Sequence, residues 1–223
     1  MGIRTVITTT VLLLALITIS TTTAAALSCD CGDICVNETG WWRDGGAFNA
    51  NATTPIQAAV DNANAGETIC VAAGSYTDNV NITTSHLTLT GEGADVVTVT
   101  AASTSDHVFD VTADYVNISG FNATGATNYG KAGIYLGSNV DHCNISENNY
   151  SNNGYSIYLY SSSDNTLTGN NASSNNWEGI LLESSSSNTL ANNTANSNGV
   201  DGIRLDFSSN NTLTNNTANS NSG

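Results

Sequence analysis

From Glu67 onward, apolar residues alternate with polar ones in short runs: Ile69/Val71, Val80/Ile82, Leu87/Leu89, Val97/Val99, Phe109/Val111 and Val116/Ile118. A period of two over three or four residues predicts short strands with one buried face. Turn residues such as Gly91-Glu-Gly93 and Thr124-Gly125 punctuate them. No second helical pattern interrupts, which excludes a doubly wound α/β sheet. From Gly133 a longer period is superimposed: Gly133-Ile-Tyr-Leu, Ser156-Ile-Tyr-Leu, Gly179-Ile-Leu-Leu and Gly202-Ile-Arg-Leu start 23 residues apart. Ile134, Ile157, Ile180 and Ile203 form one column, and Leu136, Leu159, Leu182 and Leu205 a second. Leu167, Leu190 and Leu213 form a third, with Ile145 one residue out of step. Polar columns accompany them: Asn170, Asn193 and Asn216, then Asn152, Asn175, Asn198 and Asn221.

Identical residues one repeat apart are what stacked solenoid coils require, because each side chain meets its own equivalent above and below. The pieces between turns are too short for paired helices, so each repeat is a coil of strands. A buried Asn suits such a stack, since its amide donates and accepts and so bonds the copy in the next coil. One helix is expected, over 55–65. Thr54 is positioned to cap it, Pro55 fits its first turn, Gly66 ends it, and Ile56, Ala59, Val60 and Ala63 share one face. Residues 27–54 form a lead-in that contains Cys and Trp. There Trp41-Trp42 is either a carbohydrate-stacking pair or a cover for the open end of the core.

Composition narrows the setting. Only 10% of residues are charged, and 4 Lys and Arg against 19 Asp and Glu give a net charge of -15. A chain so poor in cations does not neutralise phosphates, which excludes nucleic acid as a partner. Residues 1–26 read as a signal peptide: Arg4, the apolar run 11–17, and small residues at Ala24-Ala-Ala26. After cleavage nothing is left to insert in a membrane, and the product is secreted or at the cell surface. Export makes disulfides the default for Cys29, Cys31, Cys35, Cys70 and Cys143, and the odd count leaves one cysteine over. Cys35 and Cys70 are the candidate pair, since each sits in a short apolar strand beside the helix.

Pro55-Ile-Gln-Ala-Ala-Val-Asp-Asn-Ala, Gly66-Glu-Thr-Ile-Cys-Val-Ala-Ala-Gly-Ser-Tyr and Leu87-Thr-Leu-Thr-Gly-Glu-Gly93 resemble the entry segment of pectin-lyase-like right-handed parallel β-helices. Val116-Asn-Ile-Ser-Gly-Phe121 and the Gly-Ile-x-Leu repeats resemble the NosD-type, periplasmic copper-binding branch of secreted and cell-surface proteins. The fold class is therefore all-β, a single-stranded right-handed parallel β-helix of about 23 residues per coil over 55–223, with regular repeats at 133–223. The resemblance implies that the helix caps the solenoid's N-terminal end. An ending midway through a repeat, without a cap, implies a piece of a longer protein. One Met and three scattered His do not make the grouped donor set that copper prefers, so no copper site is expected.

The superfamily includes lyases, hydrolases and epimerases as well as adhesins, so fold does not decide activity. Polysaccharide lyases that resemble this chain hold calcium on carboxylates and use Arg or Lys as base. After the signal only Arg43, Lys131 and Arg204 are available. Arg204 beside Asp201 and Asp206 reads as an ion pair, with a small calcium or sugar site as the rival. Asp141, Asp164, Glu178, Glu183, Asp201 and Asp206 fall on different coils with no pair singled out. Asp106-His107 and Asp141-His142 are strand neighbours that point apart. No catalytic, cofactor-binding or metal-binding residue is therefore assigned, and calcium is the one ion left open. Eleven Asn-x-Ser/Thr sequons, at Asn37, Asn51, Asn81, Asn117, Asn122, Asn144, Asn149, Asn171, Asn192, Asn210 and Asn215, make a glycoprotein the expectation. The reading is a non-catalytic extracellular β-helix, structural or adhesive, with polysaccharide or other cell-surface components as partners. The alternative is a polysaccharide-active enzyme with an incomplete site.

Overall fold

The computed structural model describes residues 32–223. The chain winds as a right-handed parallel β-helix with three sheets, of ten, three and six strands. The sequence columns become ladder rungs. Ile134 pairs with Ile157, Ile157 with Ile180 and Ile180 with Ile203, and Leu136, Leu159, Leu182 and Leu205 follow in the same strands. In the ten-stranded sheet Ile118, Ile145, Leu167, Leu190 and Leu213 stand one above another. All of these are fully buried apart from Ile203, Leu205 and Leu213 on the last coil.

Ile145 is in its column after all, and the apparent slip is a local difference in coil length. The step from Cys143 to Asn165 is 22 residues, whereas Asn165 to Asn188 is 23. That difference also moves a polar column. Asn153, not Asn152, bonds Asn175. Asn152 occupies a left-handed corner (φ 58°) that Ser174, Ser197 and Ser220 fill in later coils, a conformation Asn tolerates better than most residues.

Two buried amide ladders run along the solenoid, Asn148–Asn170–Asn193–Asn216 and Asn153–Asn175–Asn198–Asn221. In each, a side-chain oxygen accepts the backbone N–H of the preceding ladder residue. The amide nitrogen reaches an earlier carbonyl, as from Asn193 to Leu167 O at 2.8 Å. A third ladder, Asn165–Asn188–Asn211, works in the same way. These bonds satisfy polar groups at the corners where the sheet ladder stops. The small residue that opens each Gly/Ser-Ile motif makes room for one of them. A Cβ on Gly179 would lie 2.7 Å from Asn198 Nδ2 and 2.6 Å from the carbonyls of Ala172 and Gly202.

The helix spans Pro55–Asp61, shorter than the 55–65 expected, and buries Pro55, Ile56, Ala59 and Val60 over the first coil. Thr54 makes no side-chain cap. Asp78 replaces it from the neighbouring coil, its Oδ2 accepting the Gln57 N–H at 3.0 Å. Within 27–54 there are strands Ile34–Asn37, Gly40–Arg43 and Asn49–Ala50, of which the first pairs in parallel with Thr68–Val71. The signal peptide at 1–26, Cys29 and Cys31 lie outside the described residues.

Candidate functional site

Every second residue of the six-stranded sheet faces outward. The four strands Ala132–Leu136, Tyr155–Tyr160, Ile180–Glu183 and Ile203–Asp206 thereby present Tyr135, Tyr158, Leu181 and Arg204 as one outer row. Tyr160, Glu183 and Asp206 form a second. Where the turns carrying Tyr129 and Trp177 rise beside these rows, they enclose a groove of about 440 Å³. Tyr155 and Leu181 line it, and with Ala132 they form a small apolar cluster against which Tyr135 and Tyr158 pack.

One wall is aromatic. Trp177 meets Tyr129 edge-on with ring centres 5.3 Å apart, Tyr155 and Tyr158 are 5.4 Å apart, and Tyr158 and Tyr135 are 5.2 Å apart. The other side is polar. Arg204 is held between Glu178 Oε1 at 3.0 Å and Asp206 Oδ2 at 2.7 Å, and the Asp206 bond and then the Glu178 bond raise its pKa further. Tyr158 donates its hydroxyl to Glu183 Oε2 at 2.6 Å. Burial, then that bond, raises the phenol's pKa well above its ordinary value, so it stays protonated. Burial likewise raises that of Tyr155. The site therefore offers apolar ring faces, one phenolic donor already engaged, and carboxylates. Such a surface binds a polyhydroxylated chain by stacking and hydrogen bonding.

The family profile described as "Periplasmic copper-binding protein (NosD)" matches residues 60–223. The chain belongs to the NosD family. No curated protein matches it by sequence. Among solved structures it is similar to ORF18 of Geobacillus virus E2, at 17% identity and a TM-score of 0.68 over 82% of this chain and 41% of that one. It is also similar to the periplasmic alginate epimerase AlgG, at 20% identity and a TM-score of 0.60 over 84% of this chain and 44% of that one. This NosD-family chain thus spans less than half the length of either, and at these identities the likeness shows the fold alone.

The copper in the family's description does not fit the residues present. His86 and His142 lie on opposite faces of Tyr115, with ring centres 4.5 Å and 4.8 Å from it, so the phenol ring separates them. His107 is buried against Tyr135, its Nδ1 accepts the Ala132 N–H at 3.1 Å, and burial pushes its pKa down to about 4. Cys143, a free buried thiol, accepts the Val116 N–H at 3.4 Å. Among the described residues no three His, Cys, Asp or Glu side chains converge.

The residues singled out by sequence separate into groups. Glu178, Glu183, Arg204 and Asp206 come together in the groove, where Arg204 forms the expected ion pair with Asp206 and gains Glu178 as a second partner. Asp141 serves a backbone role, accepting the Ser163 N–H at 2.6 Å. Asp106 accepts the His107 backbone N–H and makes no dyad with its ring. Lys131 faces Asp106 at 4.0 Å and Arg43 pairs with Glu67 at 2.6 Å. Trp41 packs on the main core and Trp42 against Phe48, and neither lines the groove. Cys35 and Cys70 stand opposite each other in register and both are disulfide-bonded; their pairing with each other stays an expectation. None of the eleven sequon asparagines is buried. Several share a column, such as Asn117 with Asn144 and Asn122 with Asn149 and Asn171. Rungs about 4.8 Å apart leave little room for glycans on neighbouring coils.

Sequence reasoning missed Tyr129, Tyr155, Tyr158 and Trp177. For Tyr158 the available signal was its place as the third residue of a Gly/Ser-Ile-x-Leu motif, which must face outward when Ile and Leu face in; no such signal marked Tyr129, Tyr155 or Trp177.

Proposed function

We propose that this NosD-family β-helix is an extracytoplasmic protein that binds a linear polysaccharide in the groove without turning it over. The observation that carries the reading is the aromatic wall of Tyr129, Tyr155, Tyr158 and Trp177 facing Glu183 and the Arg204 ion pairs across one groove. Stacked coils give such a site a constant rise of about 4.8 Å per rung, which suits a chain of repeating sugars. The non-catalytic part rests on how the polar groups are engaged. Arg204 is neutralised twice and Tyr158 stays protonated, so neither is poised as a base. Disulfide-bonded Cys35 and Cys70 support a location outside the cytoplasm, as does the family's periplasmic description. Among the described residues no helix is long and apolar enough to cross a membrane.

Affinity electrophoresis and calorimetry against a panel of neutral, acidic and amino polysaccharides test this. Trp177→Ala is expected to weaken binding roughly tenfold, the loss of a stacking face worth about 1.4 kcal/mol. Reducing-end or unsaturated-sugar assays on the same mixtures should stay flat. Sustained product release would favour the alternative of a polysaccharide-active enzyme, and unchanged binding by Trp177→Ala would remove the groove from the account.

A further inference from the structure

The charge of the groove deepens this reading, on which the following inference rests. Three carboxylates, Glu178, Glu183 and Asp206, line it, and Arg204 is the one cation among its lining residues. That guanidinium is held between Glu178 and Asp206, at 3.0 Å and 2.7 Å, which leaves Glu183 without a cationic partner among the lining residues. The local excess is negative, in a chain whose net charge is -15. A uronate polymer, which brings one carboxylate per sugar, would meet an excess of like charge. An ammonium group meets the opposite situation twice over. It is attracted by the carboxylates and also by the negative faces of Trp177, Tyr129 and Tyr158.

We infer that the groove selects a cationic glycan, a linear hexosamine polymer with free amines, over the uronic acid polymers. Sugar rings lie on the aromatic wall, and the amine on C2 of a sugar is directed to Glu183. No bond is made or broken, so the selection is one of affinity.

Calorimetric titration of the wild-type chain with hexasaccharides of glucosamine, N-acetylglucosamine and galacturonic acid tests it. EDTA removes divalent ions that would bridge a uronate, and mildly acidic buffer keeps the amines charged. The glucosamine hexamer is expected to bind at least about tenfold tighter than the galacturonate hexamer, the order set by one ion pair near a surface. That advantage should shrink as salt screens the pair. Glu183→Gln should weaken glucosamine binding by a larger factor than N-acetylglucosamine binding and so remove most of that advantage, whereas Trp177→Ala should weaken both by a similar factor. If galacturonate binds as tightly as glucosamine, or N-acetylglucosamine binds tighter, the cationic assignment is overturned and the groove reading stands. If no hexasaccharide binds, both fail. Glucosamine binding that ignores Trp177→Ala is attraction to the acidic surface at large and also overturns the assignment.

Discussion

Replacing Asn193 with Ala should cost far more than its small size implies, because the residue bonds to the coils on both sides of it. It is fully buried. Its Oδ1 accepts the Asn170 backbone N–H and the Asn170 Nδ2, both at 3.0 Å. Its Nδ2 donates to Leu167 O at 2.8 Å and Asn216 Oδ1 at 3.0 Å. After truncation the Asn170 side chain keeps Ile145 O, and Asn216 Oδ1 keeps the residue-193 N–H. The Asn170 backbone N–H loses its bond to this side chain outright. One orphaned buried donor costs about 1–3 kcal/mol and each partly lost bond about 1 more, so a total of about 3–5 kcal/mol is expected. The exposed Thr189→Ala on the adjoining strand should cost less than about 1 kcal/mol. Urea unfolding by circular dichroism compares the two at matched slopes. If the coils unfold stepwise, amide exchange at the Ile145 and Leu167 rungs reads the same loss. A cost for Asn193→Ala no larger than that for Thr189→Ala would refute the claim that the amide ladders hold the coils together.

Two buried titrations oppose each other. Burial raises the Asp78 pKa to about 6 in the folded chain, so the folded state gains a proton first and is stabilised as pH falls through 6 toward the unfolded value near 3.8. Burial lowers that of His107 to about 4, so the unfolded state gains its proton first and stability is lost as pH falls from 6.5 toward 4. Each swing is worth about 3 kcal/mol. Urea midpoints measured across that window should therefore change little in the wild type, fall on acidification in Asp78→Asn, and rise in His107→Asn; parallel curves would contradict both assignments. Gly179→Val should lower the thermal midpoint sharply, because its Cβ would press on two carbonyls and the Asn198 amide, while Gly179→Ser should be milder, as Ser156 fills the same motif position.

The fold was legible because residue identity repeats where the environment repeats. Ile157, Ile180 and Ile203 are in register by sequence arithmetic alone, and the structure pairs them. The Asn columns were legible except where Asn152 and Asn153 adjoin. There the residue type is the same and only the backbone, left-handed at Asn152, tells corner from ladder. The cap was misplaced because Thr54 satisfies the local rule, while the acceptor in use, Asp78, comes from a later coil. The groove was the least legible part. Its outer row reads Tyr135, Tyr158, Leu181, Arg204 and does not repeat, so periodicity is silent about it. Tyr129 and Trp177 are brought edge to face only by the stacking of two different turns. Glu178 and Glu183 flank one strand while Asp206 ends the strand of the next coil, and the parallel register is what sets Glu183 beside Asp206.

Hydrogen-exchange mass spectrometry with and without a saturating glucosamine hexasaccharide tests the central claim most directly. The account predicts slowed exchange confined to the outer sheet around Tyr155–Tyr160 and Ile180–Glu183 and to the turns at Tyr129 and Trp177. Protection centred on Trp41 and Trp42, or no change anywhere along the groove, would contradict it.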